Sequence, residues 1–362
     1  MSQRLFRVGA AIVVVVVVAV VGALLFGNFG TPPDPETGVS VEGAQSFALI
    51  LAIAAAAGFL TYAGIEYAQT GSFASISRQF DTRTLVLIPI AIALNILLGQ
   101  AVASALKIPV YLDSVGTILV GALAGPVAGA ATGFLANTLW TFVVPPPFNS
   151  SVAAAFAIVA AVIGVFAGVL ARVGWLRPRP DRSYRELAIG AAVSVGLIAV
   201  LSVLAFLGYR AILGPPGLAP ESDDAIFVIL GWLALLLVAG TIVGVLALLF
   251  VRRDLTAAYV VVGGVVTGIV AALISAPIAA NVFGGVTGSG TDFLVAAFRQ
   301  GGADIGAATL GQGLISDPID KVVTFFVVYI ILVAMARRTK ARFPQGEELI
   351  ERQGAGRNLP DS

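Results

Sequence analysis

The sequence predicts an all-α fold: a polytopic integral membrane helical bundle of about ten transmembrane helices. Composition is the first reason. Of 362 residues, 58% are hydrophobic and 11% charged, with a mean hydropathy of +0.99; soluble domains carry about a quarter charged residues. The second reason is that apolar runs of about 20 residues, enough to cross a bilayer, recur along the chain. The third is the basic residues, which alternate from loop to loop.

Full-length spans are expected near 8–26, 45–67, 84–106, 151–172, 186–208, 225–251, 257–281 and 315–336. The first follows Arg4 and Arg7. Its apolar run of about 19 residues is longer than a signal-peptide core, so an uncleaved helix is expected. The block 113–142 is too long for one ordinary span. Within it Gly121, Gly125, Gly129 and Gly133 recur every four residues, a spacing that clears a helix face for backbone contact. Pro126 suits the first position of a helix and Gly125 the end of one. The block is therefore either one kinked helix or a hairpin of two short helices, 113–142.

Charge placement decides between these. With Arg4 and Arg7 inside, two crossings through 113–142 also put Arg78, Arg83, Arg177, Arg179, Arg182, Arg185, Arg252, Arg253 and the 337–342 cluster inside. Only Lys107, Arg210, Arg299 and Lys321 of the 21 Lys and Arg then fall elsewhere. A single crossing would invert every later loop and break the positive-inside bias. The hairpin follows, with ten crossings and both termini cytoplasmic in a cell membrane. The outer segments 31–42 and 215–224 are Pro-rich and acidic and read as solvated loops. Residues 143–150 form a short stiff loop. Residues 282–313 are Gly-rich and read as a structured outer lid with a short helix at 291–299. The tail, 337–362, is polar and cytoplasmic.

The composition also excludes. A net charge of +1 gives no reason to expect nucleic acid. There is no His and no Cys, so transition-metal chemistry and Ser/His or Cys/His nucleophiles are excluded. Three lysines and no Walker motif exclude an ATPase within the chain. No enzyme activity, cofactor or metal is expected.

Polar residues concentrate toward the outer ends of the spans: Asn95, Gln100, Asp113, Asn137, Trp140, Asn149, Ser275, Asn281, Asp317, Asp320 and Lys321. Polar groups at one depth of a membrane bundle need partners, and a ligand is one such partner. Local roles compete with that reading. Asp113 precedes a helix and suits an N-cap. Asp317, Pro318 and Asp320 resemble N-cap, N1 and N3 of a helix start, and Asp317 and Lys321 are one turn apart. Asn95 and Gln100 suit interhelical bonding, Trp140 an interfacial belt, and Arg299 an exposed lid charge. A second small-residue ladder, Gly264, Gly268, Ala272, Ala276 and Ala280, suits helix packing.

The runs ALNILLGQ…IPVYLDSVGTILVGALAGPVAGAATGFLANTLW and ISAPIAANVFGGVTGSGTDFL…LISDPIDKVV resemble substrate-binding (S) components of energy-coupling factor (ECF) type ABC transporters. The resemblance covers 84–172 (S-component helices 1–4) and 257–336 (helices 5–6, with the lid 282–313). It leaves an extra N-terminal helix pair in 1–70, and a basic loop with an inserted helix pair in 173–253. It implies capture of a vitamin-like or other polar micronutrient from outside, and delivery with a T component and two ATPase subunits that hydrolyse ATP. The implied ligand contacts are Asn95, Gln100, Asp113, Asn137, Trp140, Asn281, Asp292, Arg299 and Lys321. The outer-end reading adds Asn149, Asp317 and Asp320. Two other readings stay open: a stand-alone secondary transporter with cores at 121–133 and 263–280, and a non-transporting membrane sensor or scaffold.

Overall fold

Long apolar runs without water to bond their backbone must form helices, and helices are what the chain forms. The computed structural model describes residues 2–26, 41–105, 110–146, 148–180, 182–213 and 225–351. Most of the 31–42 loop, the 215–224 loop, Lys107 and the end of the tail lie outside the described residues. The elements are α1 (Ser2–Phe26), α2 (Val41–Thr70), α3 (Ala74–Ser77), α4 (Thr82–Ala105), α5 (Val115–Ala124), α6 (Pro126–Phe142), α7 (Ala157–Arg172), α8 (Tyr184–Leu213), α9 (Ala225–Phe250), α10 (Thr256–Phe283), α11 (Asp292–Gln300), α12 (Ile305–Ala334) and α13 (Arg337–Lys340). No strand occurs among the described residues.

Among the described residues six helices are long and apolar enough to cross a membrane, in α1, α2, α4, α7 with its leading turn, α8 and α10. Their outer faces carry exposed apolar side chains such as Val13, Leu60, Leu97 and Leu207. Patches of that kind mark contact with an apolar surround or a partner.

The 113–142 block does break at Gly125, whose φ of 126° and ψ of 175° end α5 before Pro126 starts α6. The two helices fold back on each other. A Cβ on Gly129 would lie 2.6 Å from the Cα of Gly121 and 2.7 Å from the Gly164 carbonyl. The ladder is thus not one stripe on one helix: Gly121 faces Gly129 across the hairpin, and α7 presses its own Gly164 against both. Gly133 meets the backbone of Ala160 as closely. The second ladder joins α10 to α12, where a Cβ on Gly264 would lie 2.6 Å from the Cα of Val322, and one on Gly268 2.6 Å from the Asp317 carbonyl carbon. Ala272 and Ala276 continue that face and are buried.

Two glutamines close the turn of the hairpin. Gln79 Oε1 accepts from the Val127 N–H at 2.8 Å, at the open start of α6. Gln345 ties the end of α5 to α7: its N–H donates to Leu123 O at 2.8 Å, and its Nε2 to Gly168 O on α7 at 2.7 Å. Helix ends leave such groups unsatisfied, and distant residues satisfy them here. This end also gathers the basic residues. Arg7 pairs with Glu66 at 3.6 Å, Arg177 with Glu348, and Asp254 accepts from the Arg179 and Thr256 N–H groups at 2.9 Å and from the Tyr329 hydroxyl. The 337–351 segment is accordingly a folded strap.

The structure corrects the start of the last long helix. α12 begins at Ile305, where the Asp304 carboxylate accepts from the Ala307 N–H at 2.8 Å as a true N-cap. Asp317, Pro318 and Asp320 lie inside α12, so they are not a helix start. Gly268 lets the α12 backbone at Pro318 approach α10 closely, since a Cβ there would lie 2.4 Å from the Pro318 Cα. The lid shrinks accordingly to the turns around α11, the short helix expected at 291–299. Asp113 is not the N-cap of α5 either; Ser114 occupies that place, without a side-chain cap bond.

Candidate functional site

At the end of the bundle opposite the basic strap, the helices enclose a cavity of about 370 Å³. Small-molecule sites run from about 300 to 1,000 Å³. Its walls come from the end of α4, the 110–114 loop, the end of α6, the start of α7, one face of α10, the 287–290 lid loop and α12.

Seven of the twelve sequence candidates line it: Gln100, Asp113, Asn137, Trp140, Asn149, Asp317 and Lys321. The hairpin explains why Asp113 and Asn137 reach the same cavity, since both stand well away from Gly125 on its two arms. Trp140 is buried and donates from Nε1 to Phe148 O at 2.9 Å, so it is a wall of the cavity and not a belt residue. A Cβ on Gly99 would lie 2.6 Å from the Trp140 ring and 3.1 Å from the Asp113 Cβ; the glycine gives those two side chains their places.

Five candidates do not line the cavity. Asn95 is buried between α4 and α5, where its Nδ2 donates to Thr117 Oγ1 at 2.8 Å and its Oδ1 accepts from Gly116 N–H at 2.7 Å. Asp320 is fully buried behind the wall. Asn281 is exposed and bonds the Pro277 carbonyl at 2.8 Å. Ala271, Ser275 and Ala279 carry the cavity face of α10, and a residue two positions further on points the other way. Arg299 is exposed and closes the turn after α11 by donating to Ala303 O at 3.0 Å. Asp292 turns into its own loop, accepting from Gly288 N–H at 2.9 Å and from the Thr287 and Ser289 hydroxyls at 3.1 Å. Burial raises its carboxyl above the ordinary range, against those hydrogen bonds. It shapes the lid loop, and that loop lines the cavity.

The charged wall is tightly wired. Lys321 Nζ bonds Asp320, donates to Ser114 Oγ at 2.9 Å and lies 3.8 Å from Asp113 Oδ1. Asp320 Oδ1 accepts from the Tyr111 and Leu112 N–H groups at 2.7 and 2.8 Å. Leu112 takes a φ of 57° there, a conformation that L side chains adopt at a cost. The two backbone bonds to a buried carboxylate hold it.

Sequence reading missed a second polar cluster on the rim. The Tyr111 hydroxyl and Thr291 Oγ1 are 2.7 Å apart, and Gln312 Nε2 donates to Thr291 Oγ1 at 3.0 Å and Ser316 Oγ at 2.7 Å. Burial holds the Tyr111 phenol above its ordinary range, so it stays protonated. These bonds fasten the lid to α12. Tyr111 stands two residues from Asp113 in the sequence, the one signal that pointed toward it.

No family model, curated protein or solved structure matches the chain, so any assignment rests on this cavity and the helices around it.

Proposed function

We propose that the chain is the substrate-capture subunit of an uptake transporter, of the ECF S-component kind, set in the cell membrane with both termini cytoplasmic. The observation that supports this reading most is the position of the cavity. It lies at the end of the bundle away from the basic strap, and it is lined by Asp113, Asn137 and Lys321. By the positive-inside bias that end faces outward. A polar, pre-formed cavity of small-molecule size at that end suits capture of a small polar micronutrient from outside.

A capture subunit without a nucleotide-binding loop would take the energy for release from partners. A T component and two ATPase subunits would supply ATP hydrolysis, with the chain itself neither enzyme nor cofactor carrier. The ten helices α1, α2, α4–α10 and α12 would each cross the membrane, α5 and α6 as short crossings.

Affinity purification from the native membrane tests this. Co-purifying ATPases and saturable solute binding without ATP are expected. Uptake into vesicles by the chain alone under an ion gradient would sink the capture reading in favour of a secondary transporter.

A further inference from the structure

We propose that the cavity selects a small organic cation, an amine or quaternary ammonium on a flat or short carbon frame, with Asp317 as its counter-ion. This rests on reading the cavity as a capture site and names the class of solute it takes.

Among the described residues the charges around the cavity do not balance. Three carboxylates, of Asp113, Asp317 and Asp320, stand against one ammonium, of Lys321, which is the one cation among the described residues that line the cavity. Asp320 is satisfied, with two backbone N–H groups on one oxygen and Lys321 on the other. Asp113 shares Lys321 at 3.8 Å and is part-exposed to the cavity.

Asp317 is the one left over. It is 8% exposed and lines the cavity. Among the described residues its carboxylate has no ammonium or guanidinium within 4.0 Å. Its polar contacts are two hydroxyls, Ser275 Oγ at 3.2 Å and Ser316 Oγ at 3.4 Å. Each hydroxyl has a single proton to give. That of Ser316 has a nearer acceptor in the Gln312 carbonyl at 3.0 Å, and that of Ser275 is shared with Ala272 O at 3.4 Å. A buried carboxylate ordinarily carries a cation or several donors. Asp317 has at best one long hydroxyl bond, and its open side is the cavity.

The remaining walls agree. Tyr111, Trp140 and Phe156 line the same cavity, and aromatic faces attract ammonium groups. An anion would meet two carboxylates for one lysine. A metal ion is not favoured, because no cluster of three carboxylates converges on a common point among the described residues.

The test uses three probes on one frame, tryptamine, indole-3-acetate and tryptophol, with the full chain purified in detergent. Binding is measured by equilibrium dialysis and by the shift in unfolding temperature. Tryptamine is expected to bind at least tenfold more tightly than indole-3-acetate. Asp317→Asn is expected to remove that preference, weakening tryptamine at least tenfold more than tryptophol. Equal binding of all three, or tighter binding of the anion, overturns the cation assignment and leaves the cavity standing as a binding site. Binding of none overturns the assignment too. Tryptamine binding that survives Ser275→Trp, which fills the cavity, overturns the reading of the cavity itself.

Discussion

Lys321 Nζ lies 3.8 Å from Asp113 Oδ1 and 2.9 Å from Ser114 Oγ, and so fastens α12 to the mouth of the α5–α6 hairpin. Both groups of the Asp320–Lys321 pair are almost wholly buried. Removing one partner from such a pair strands the other, at a cost of about 3–5 kcal/mol. Lys321→Met is expected to lower stability by that order. Adding Asp320→Asn should return part of the loss, since a neutral amide no longer needs the ammonium. Thermal unfolding in detergent checks this; a double variant no more stable than Lys321→Met would show that the pair is not coupled.

Gly164 sits against the backbone of Gly129 and Ala130 closely enough that a Cβ would overlap them. Gly129→Val or Gly164→Val is expected to destabilise the hairpin by about 3 kcal/mol or more, since backbone on both sides leaves no side chain to yield. Gly196, in the middle of α8, has no heavy atom within 4 Å of where a Cβ would stand. Gly196→Ala is expected to be neutral or stabilising by up to about 1 kcal/mol. Equal losses at Gly196 and Gly129 would show that close packing is not what the glycines provide.

Gln345 is buried, and its N–H and side-chain amide reach α5 and α7 together. Gln345→Ala would leave the Gly168 carbonyl without that donor, at about 1–3 kcal/mol. Faster hydrogen exchange of the residue 345 amide is the expected local sign. Unchanged protection there would mean that the strap holds by its other contacts alone.

For the cavity, Asn137→Ala and Asp113→Ala are each expected to weaken solute binding by about tenfold, the equivalent of about 1.4 kcal/mol. Asn281→Ala, on the far face of α10, should leave it unchanged. Binding measured without ATP reads all three. A strong effect at Asn281 with none at Asn137 would remove the site from this cavity.

The hairpin was legible in the sequence because Gly125 and Pro126 carry their own conformational preferences. It also brought Asp113 and Asn137 together, since equal arms from one turn end at one level. It failed at Asp317-Pro318, where a helix-start pattern sits inside a helix. The helix is in fact capped earlier, at Asp304, so the local pattern misplaced its start. Asn281 failed for a related reason: its place near the end of α10 was legible, but its facing on that helix was not. Gln79, Gln345 and the Tyr111–Thr291–Gln312 cluster act across long separations, and no local spacing announces them.

The shortness of α5 has a consequence of its own. Ten residues rise about 15 Å, roughly half the hydrocarbon thickness of a bilayer. One end of α5 is Ser114, at the cavity; the other is capped by Gln345, on the basic side. In a bilayer, a solute beside Asp113 would already stand deep within it. What would separate it from the opposite aqueous phase is a septum one short helix thick, sealed by glycine-to-glycine contacts.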